Sequence, residues 1–192
     1  MDFRSRLHRP RGYNDPGHAH ELTFSCFRRI KMLAKDRSCE WLAKELADAG
    51  QELKYSLWAY AFMPEHVHLS VFPKEPDYNT SDFLKRIKEP VSRNAVQFLK
   101  QESPQWLAKI RVCHGDSVEH HFWQSGRGHD RNILKSPALL EMIDYIHQNP
   151  VRRRLTVMAR EWKWSSAGWY ENLPLNSLKP DPIPWDWLED AG

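Results

Sequence analysis

The chain is short of the features that mark several large classes of protein. It has 3 cysteines, Cys26, Cys39 and Cys113, in 192 residues. They are odd in number and form no CxxC pair, which excludes a disulfide-built secreted scaffold and points to a reduced, cytoplasmic protein. No run of about 18 apolar residues exists, so no transmembrane helix is expected. The arginine- and proline-containing N-terminus has no apolar core and does not read as a signal peptide. There is no glycine-rich phosphate loop, no internal repeat and no low-complexity tract. What the chain does have is 41% hydrophobic residues, enough for a core, and 9 tryptophans that must pack on something large or stack on a ligand. Its length fits one domain.

The net charge is only +3, but it is unevenly placed. Residues 1–37 carry nine lysines and arginines against four acids, a net of +5. Residues 171–192 carry five acids against Lys179, a net of −4. A basic body with an acidic tail suits a polyanionic ligand, although ordinary soluble proteins also fluctuate this much.

Residues 1–18 read as an irregular basic arm, broken by Pro10, Gly12, Pro16 and Gly17. A strand is expected over 20–27, a helix over 38–49 stopped by Gly50, and strands over 55–63 and 66–72 joined by Pro64-Glu65. An amphipathic helix follows over 81–100, which Pro90 breaks or kinks. Residues 101–117 carry no clear pattern, and 119–124 and 131–134 are strand or loop. A helix starts at Ser136 with Pro137 in its first turn. The order β-α-β-β-α-β-α implies an α+β domain over 19–170, an antiparallel sheet with helices on one face. The acidic 171–192 tail, punctuated by prolines, is expected to be extended.

Two short segments carry chemistry. Glu65-His66-Val67-His68-Leu69 puts two imidazoles on one face of a strand, about 7 Å apart along the pleat, where they can converge on one divalent ion. Isolated, the pattern more often describes exposed or core histidines. The expected burial pattern puts Val67, Leu69 and Val71 in the core and both histidines on the exposed face. In Tyr145-Ile146-His147-Gln148-Asn149-Pro150, the phenol and Asn149 share a helix face at i, i+4, with Leu139, Met142, Ile143 and Ile146 as the buried stripe. Pro150 should end the helix at Asn149. A tyrosine in a helix is usually a partly buried hydrogen-bonding residue.

Taken together, MPEHVHL, HHFWQSG with DRNI, YIHQNPVRR and WKWSSAGWY resemble the single-tyrosine HUH endonuclease superfamily. More closely, they are similar to the REP-associated tyrosine transposases, over roughly residues 18–170. The resemblance implies a ferredoxin-like fold and a metal-dependent single-stranded DNA endonuclease or strand transferase. It implies Tyr145 as nucleophile, through a 5′-phosphotyrosine intermediate. His66, His68 and Asn149 become ligands of Mg²⁺ or Mn²⁺, although the imidazoles themselves would equally tolerate zinc. The implied partner is hairpin DNA with a single-stranded flank, the implied setting the cytoplasm or nucleoid, and a monomer is expected. Phosphate contacts are expected from Arg152, Arg153 and Arg154 behind the tyrosine, and from Arg4, Arg6, Arg9 and Arg11 in the arm. Phe122-Trp123-Gln124 with Arg127, Asp130 and Arg131 resembles a family segment near the active site. Trp123, Trp162, Trp164 and Trp169 are candidate stacking platforms, with core packing the commoner role. Cys113, His114, His120 and His121 match no known zinc spacing.

Two other classes compete. One is a hairpin-binding regulatory protein without cleavage, and the other a metal phosphoesterase in which Tyr145 is structural. The tail admits two roles as well. Trp185, Trp187 and Leu188 either close an apolar edge of the domain or lie over the DNA groove as an autoinhibitory mimic.

Overall fold

Alternation along three strands decides which side chains enter which layer. The computed structural model describes residues 14–126, 128–134, 136–174 and 178–188. In chain order these form β1 (Ala19–Ser25), α1 (Asp36–Glu52), β2 (Tyr55–Met63), β3 (His66–Pro73), α2 (Thr80–Glu102), α3 (Pro104–Lys109), β4 (Arg111–His114), β5 (Ser117–His120), β6 (His129–Ile133), α4 (Ser136–Arg152) and α5 (Ala167–Tyr170). The main sheet has the order β2-β3-β1-β6, with neighbours antiparallel. β1 and β2 are therefore parallel with β3 inserted between them, the split β-α-β arrangement of a ferredoxin-like fold. β4 and β5 form a separate hairpin.

On one face Leu22, Phe24, Tyr60, Phe62, Val67, Leu69 and Val71 pack with Leu42 and Leu46 of α1 and with Phe83, Ile87 and Val91 of α2. The other face is built from Ala19, Ala59 and Ala61, and receives Leu139, Met142, Ile143 and Ile146 of α4. The α+β class with an antiparallel sheet is as expected, and α1 and α2 do share one face. α4 lies on the opposite face, because its apolar stripe finds a flat seat of small side chains there. A register shift between Leu57 and Ala59 puts Trp58 and Ala59 in the same layer, so β2 contributes to both cores.

Three helix boundaries differ from the sequence expectation. Gly50 does not stop α1, which continues to Glu52. A Cβ at Gly50 would lie 3.2 Å from the Tyr55 carbonyl oxygen, so the glycine permits a close helix–strand approach. α2 is continuous through Pro90, with the Asn79 side chain accepting from Ser81 N at its start. α4 continues past Pro150 to Arg152. Proline removes only one donor, and Arg153 N and Leu155 N still bond the carbonyls of Asn149 and Pro150 at 3.0 and 2.9 Å.

β2 is an edge strand, and later segments satisfy its backbone. Phe62 N donates to the Trp164 carbonyl at 2.8 Å, and Ser166 N donates to the Tyr60 carbonyl at 3.0 Å. Leu57 N donates to Asp181 Oδ2 at 2.8 Å, while Asp181 N returns a bond to the Leu57 carbonyl at 2.7 Å. Tyr60 Oη donates to the Leu178 carbonyl at 2.7 Å. Trp187 meets Trp58 and Phe72 edge-on, with ring centroids 5.1 and 5.7 Å away. The described part of the tail thus lies on the β2 edge. Trp185 is mostly exposed.

A chain ending at residue 177 is expected to lose about 2–4 kcal/mol of unfolding free energy, since it uncovers Trp58 and strands two backbone groups of β2. Urea unfolding measures this. Unchanged stability combined with faster DNA cleavage would mark the tail as an inhibitor instead.

Candidate active site

His66 and His68 lie on the α4 face of β3, and each is only 5% exposed. This corrects the expectation of an exposed strand face. The C-terminal half of α4 packs over them, bringing Tyr145 and Asn149 into the same cleft of 670 Å³. The two imidazoles meet edge-to-face with centroids 4.8 Å apart. Their Nε2 atoms are 3.0 Å apart.

The other ring nitrogens explain this convergence. His68 Nδ1 is 2.9 Å from Thr23 Oγ1. In the tautomer that donates this proton to Thr23, Nε2 carries a free lone pair. His66 Nδ1 makes no hydrogen bond but lies 3.3 Å from Glu65 Oε1. Arg153 Nη2 donates to the same carboxylate oxygen at 2.6 Å. Burial pushes the His68 pKa down to about 3, helped by the neighbouring His66 and the cations Arg152 and Arg29. Burial also lowers that of His66, against the opposing pull of Glu65. Both rings are therefore neutral at pH 7, the form that binds metal.

Tyr145 is 44% exposed. Its ring stands edge-on to His68 with a centroid distance of 5.9 Å. The Arg152 guanidinium lies 4.3 Å over the phenol ring and also donates to the Tyr145 carbonyl. Asn149 Nδ2 donates to that carbonyl at 2.8 Å. Gln148 is half-buried and does not line the cleft.

Of the arginines expected to bind phosphate, Arg152 is thus occupied by Tyr145 and Arg153 by Glu65. Arg131 lines the cleft and pairs with Glu21 at 3.0 Å. Arg154 is exposed in a left-handed turn with φ 57°. Arg4, Arg6, Arg9, Arg11 and Arg127 lie outside the described residues. Trp123 is corrected to a core residue. It is buried against Phe24 and Phe122, and its Nε1 donates to the Lys88 carbonyl at 3.0 Å. Trp164 is buried and Trp162 is partly so, donating to the Phe62 carbonyl.

Sequence reasoning missed Glu21, Thr23, Arg29, Glu65 and His129. Glu65 precedes the histidine pair directly and was the one with a local signal. Thr23 and His129 reach the cleft only because β1 pairs with β3 at Thr23↔His68 and with β6 at Thr23↔His129. Gly128 permits that second pairing, for a Cβ there would sit 2.1 Å from the Thr23 carbonyl oxygen. Arg29 enters the cleft from a loop in which Arg28 and Arg29 both have positive φ, 51° and 56°. Two consecutive non-glycine residues in that region cost about 1–3 kcal/mol each. The loop is held by Cys26 N bonding to the Glu65 carbonyl and Leu33 N to the Pro64 carbonyl, both at 2.9 Å.

Among the described residues no group of three or more His, Cys, Asp or Glu side chains has metal-binding geometry. A protein-bound ion would therefore rest on His66 Nε2, His68 Nε2 and the amide oxygen of Asn149. Two neutral imidazoles with converging Nε2 atoms, and the Asn149 amide in the same cleft, are donors that would suit a divalent ion.

No protein-family model matches the chain, nor does any curated protein. Its α+β fold is similar to that of a solved tyrosine transposase. A REP-associated tyrosine transposase bound to a REP hairpin aligns over 94% of this chain and 91% of its own, at 19% identity and a TM-score of 0.67. A candidate transposase from Deinococcus radiodurans R1 aligns over 74% of this chain and 97% of its own, at 21% identity and a TM-score of 0.43.

The buried histidines set a pH dependence. His147 is also buried, with Nε2 2.8 Å from Ser166 Oγ, and burial lowers its pKa to about 4. The unfolded chain takes up these protons below about pH 6.5 while the folded chain does not, so stability falls as the pH drops from there toward the lowered values. Each histidine contributes up to about 1.4 kcal/mol per pH unit. Urea unfolding at pH 7 and pH 5 is expected to show this loss, and His147→Gln to reduce it. An identical loss in the variant would contradict the assignment.

Proposed function

We propose that the protein is a REP-type tyrosine transposase, a metal-dependent endonuclease and strand transferase for single-stranded DNA beside a hairpin. The observation that carries this is the convergence of His66 and His68 Nε2 next to Tyr145 in one cleft. The fold likeness to a transposase holding a hairpin supports the substrate class. His66, His68 and Asn149 would hold Mg²⁺ or Mn²⁺. A cation there supplies Lewis-acid polarisation of a phosphate oxygen.

The chain's own residues do the rest. Tyr145 is accessible, and its ring is held between His68 and Arg152. Its Oη bonds to phosphorus as the 3′ oxygen leaves, and the phenolic proton passes through water to that oxygen. The products are a 5′-phosphotyrosine and a free 3′-hydroxyl. The phosphodiester is exchanged rather than hydrolysed, so the reverse attack by another 3′ end needs no ATP. Arg152, over the Tyr145 ring, would offset negative charge gained by a phosphate attacked there. Thr23 orients the His68 ring, and Glu65 with Arg153 flanks that of His66. Tyr145 and both histidines come from one chain, so a monomer suffices. Among the described residues no helix is long and apolar enough to cross a membrane.

Tyr145→Phe is expected to abolish the covalent adduct with hairpin DNA in Mn²⁺ while changing binding by less than about threefold. A denaturing gel reads this directly, and full adduct in the variant removes Tyr145 as nucleophile. His66→Ala and His68→Ala should each cut cleavage by more than about 100-fold and also lower the melting temperature, because the rings are buried. A hairpin-binding protein without cleavage would give no adduct under any metal. A phosphoesterase would release a free 5′-phosphate.

A further inference from the structure

On the opposite side of the loop that carries Arg29 lies a second groove, of 620 Å³, between the start of α1, the end of α2 and α3. Its lining includes Trp41, Phe98 and Trp106 together with Lys31, Lys35 and Arg37. Trp106 is 38% exposed. The aromatic faces already attract cations: Arg37 lies 3.8 Å over Phe98 and Lys109 lies 3.8 Å over Trp106. The one acid in the lining, Asp36, is committed to Lys163 at 2.6 Å and to Trp164 Nε1 at 2.7 Å. Among the described residues neither Lys31, Lys35 nor Arg37 is paired with a carboxylate. The groove thus has an aromatic floor, with one face of Phe98 and one of Trp106 covered by Arg37 and Lys109, and a rim of Lys31 and Lys35 that has no carboxylate partner among the described residues.

We propose that this groove binds single-stranded nucleic acid and continues the path of the strand held in the active-site cleft. Rim charge calls for a polyanion, and the indole and phenyl faces call for planar rings. Single-stranded DNA supplies both. The path is short: one residue separates Arg29 in the cleft from Lys31 in the groove, at most about 7 Å of chain. Phe27 N donates to the carbonyl of Phe122, a groove residue, at 2.9 Å, which fixes the loop against the groove wall. A strand leaving the cleft would meet Arg29, then Lys31, then the bases' stacking surface. Trp106 takes the role expected of Trp123, which is buried.

This inference deepens the proposed function and rests on it for the direction of the strand, but its test does not depend on cleavage. The probe is a fluorescently labelled ten-nucleotide oligothymidine, titrated with the full chain in EDTA and read by anisotropy. Trp106→Ala should weaken binding about tenfold, and Trp106→Phe should restore most of it. Lys31→Gln with Lys35→Gln leaves the aromatic floor intact and should lower the salt slope of log Kd by about 1.4, two phosphates' worth for a single strand. Unchanged affinity and slope in these variants overturn the groove, even if the wild-type chain forms a covalent adduct. Trp106-dependent binding without any adduct overturns the proposed reaction and leaves the groove standing. Binding of an acidic peptide with no Trp106-dependent oligonucleotide binding would assign the groove to a protein partner instead.

Discussion

The site depends on one contact, the approach of two buried, neutral imidazoles on neighbouring same-face positions of β3. Two Nε2 atoms at 3.0 Å make at most one hydrogen bond between them. The rest of the site is arranged to keep them there. Thr23 turns His68, while Glu65, held by Arg153, flanks His66. α4 closes over both rings and sets Tyr145 beside His68. Burial suppresses protonation, which would otherwise place two positive charges in contact. Under the proposed function these two rings would serve as a ligand pair.

The sheet and the cleft are linked through the same strands. β1 sits at the centre of the order β2-β3-β1-β6, so Thr23 touches His68 on one side and the His129 strand on the other. The loop after β1 is tied to the β2–β3 turn at Pro64 and Glu65. That tie allows Arg28 and Arg29 to hold a strained backbone and places Arg29 in the cleft. Rigid elements therefore carry the histidines and tyrosine, and a clamped loop carries Arg29.

Much of this was legible in the sequence. Period-two alternation marked β1, β2 and β3 to within a residue or two, and the resemblance to the tyrosine transposases singled out His66, His68, Tyr145 and Asn149, which line one cleft. What failed did so for tertiary reasons. The histidines are buried because α4 takes the second sheet face, a choice that α4's own periodicity does not reveal. Pro150 is tolerated because the turn beyond it closes through Asn149 and Pro150 carbonyls. Trp123 is core because its indole N–H finds the Lys88 carbonyl, far away in sequence. Thr23, Arg29 and His129 had no local signal, since strand pairing and a strained loop bring them in.

The central claim is that His66 and His68 together ligate a divalent ion. Pulsed electron paramagnetic resonance on the Mn²⁺-loaded protein reads it directly, through coupling of the manganese to imidazole nitrogens. The account predicts two coupled imidazoles in the wild-type chain and one in either His66→Ala or His68→Ala. A spectrum without nitrogen coupling, or one unchanged by both substitutions, would contradict it.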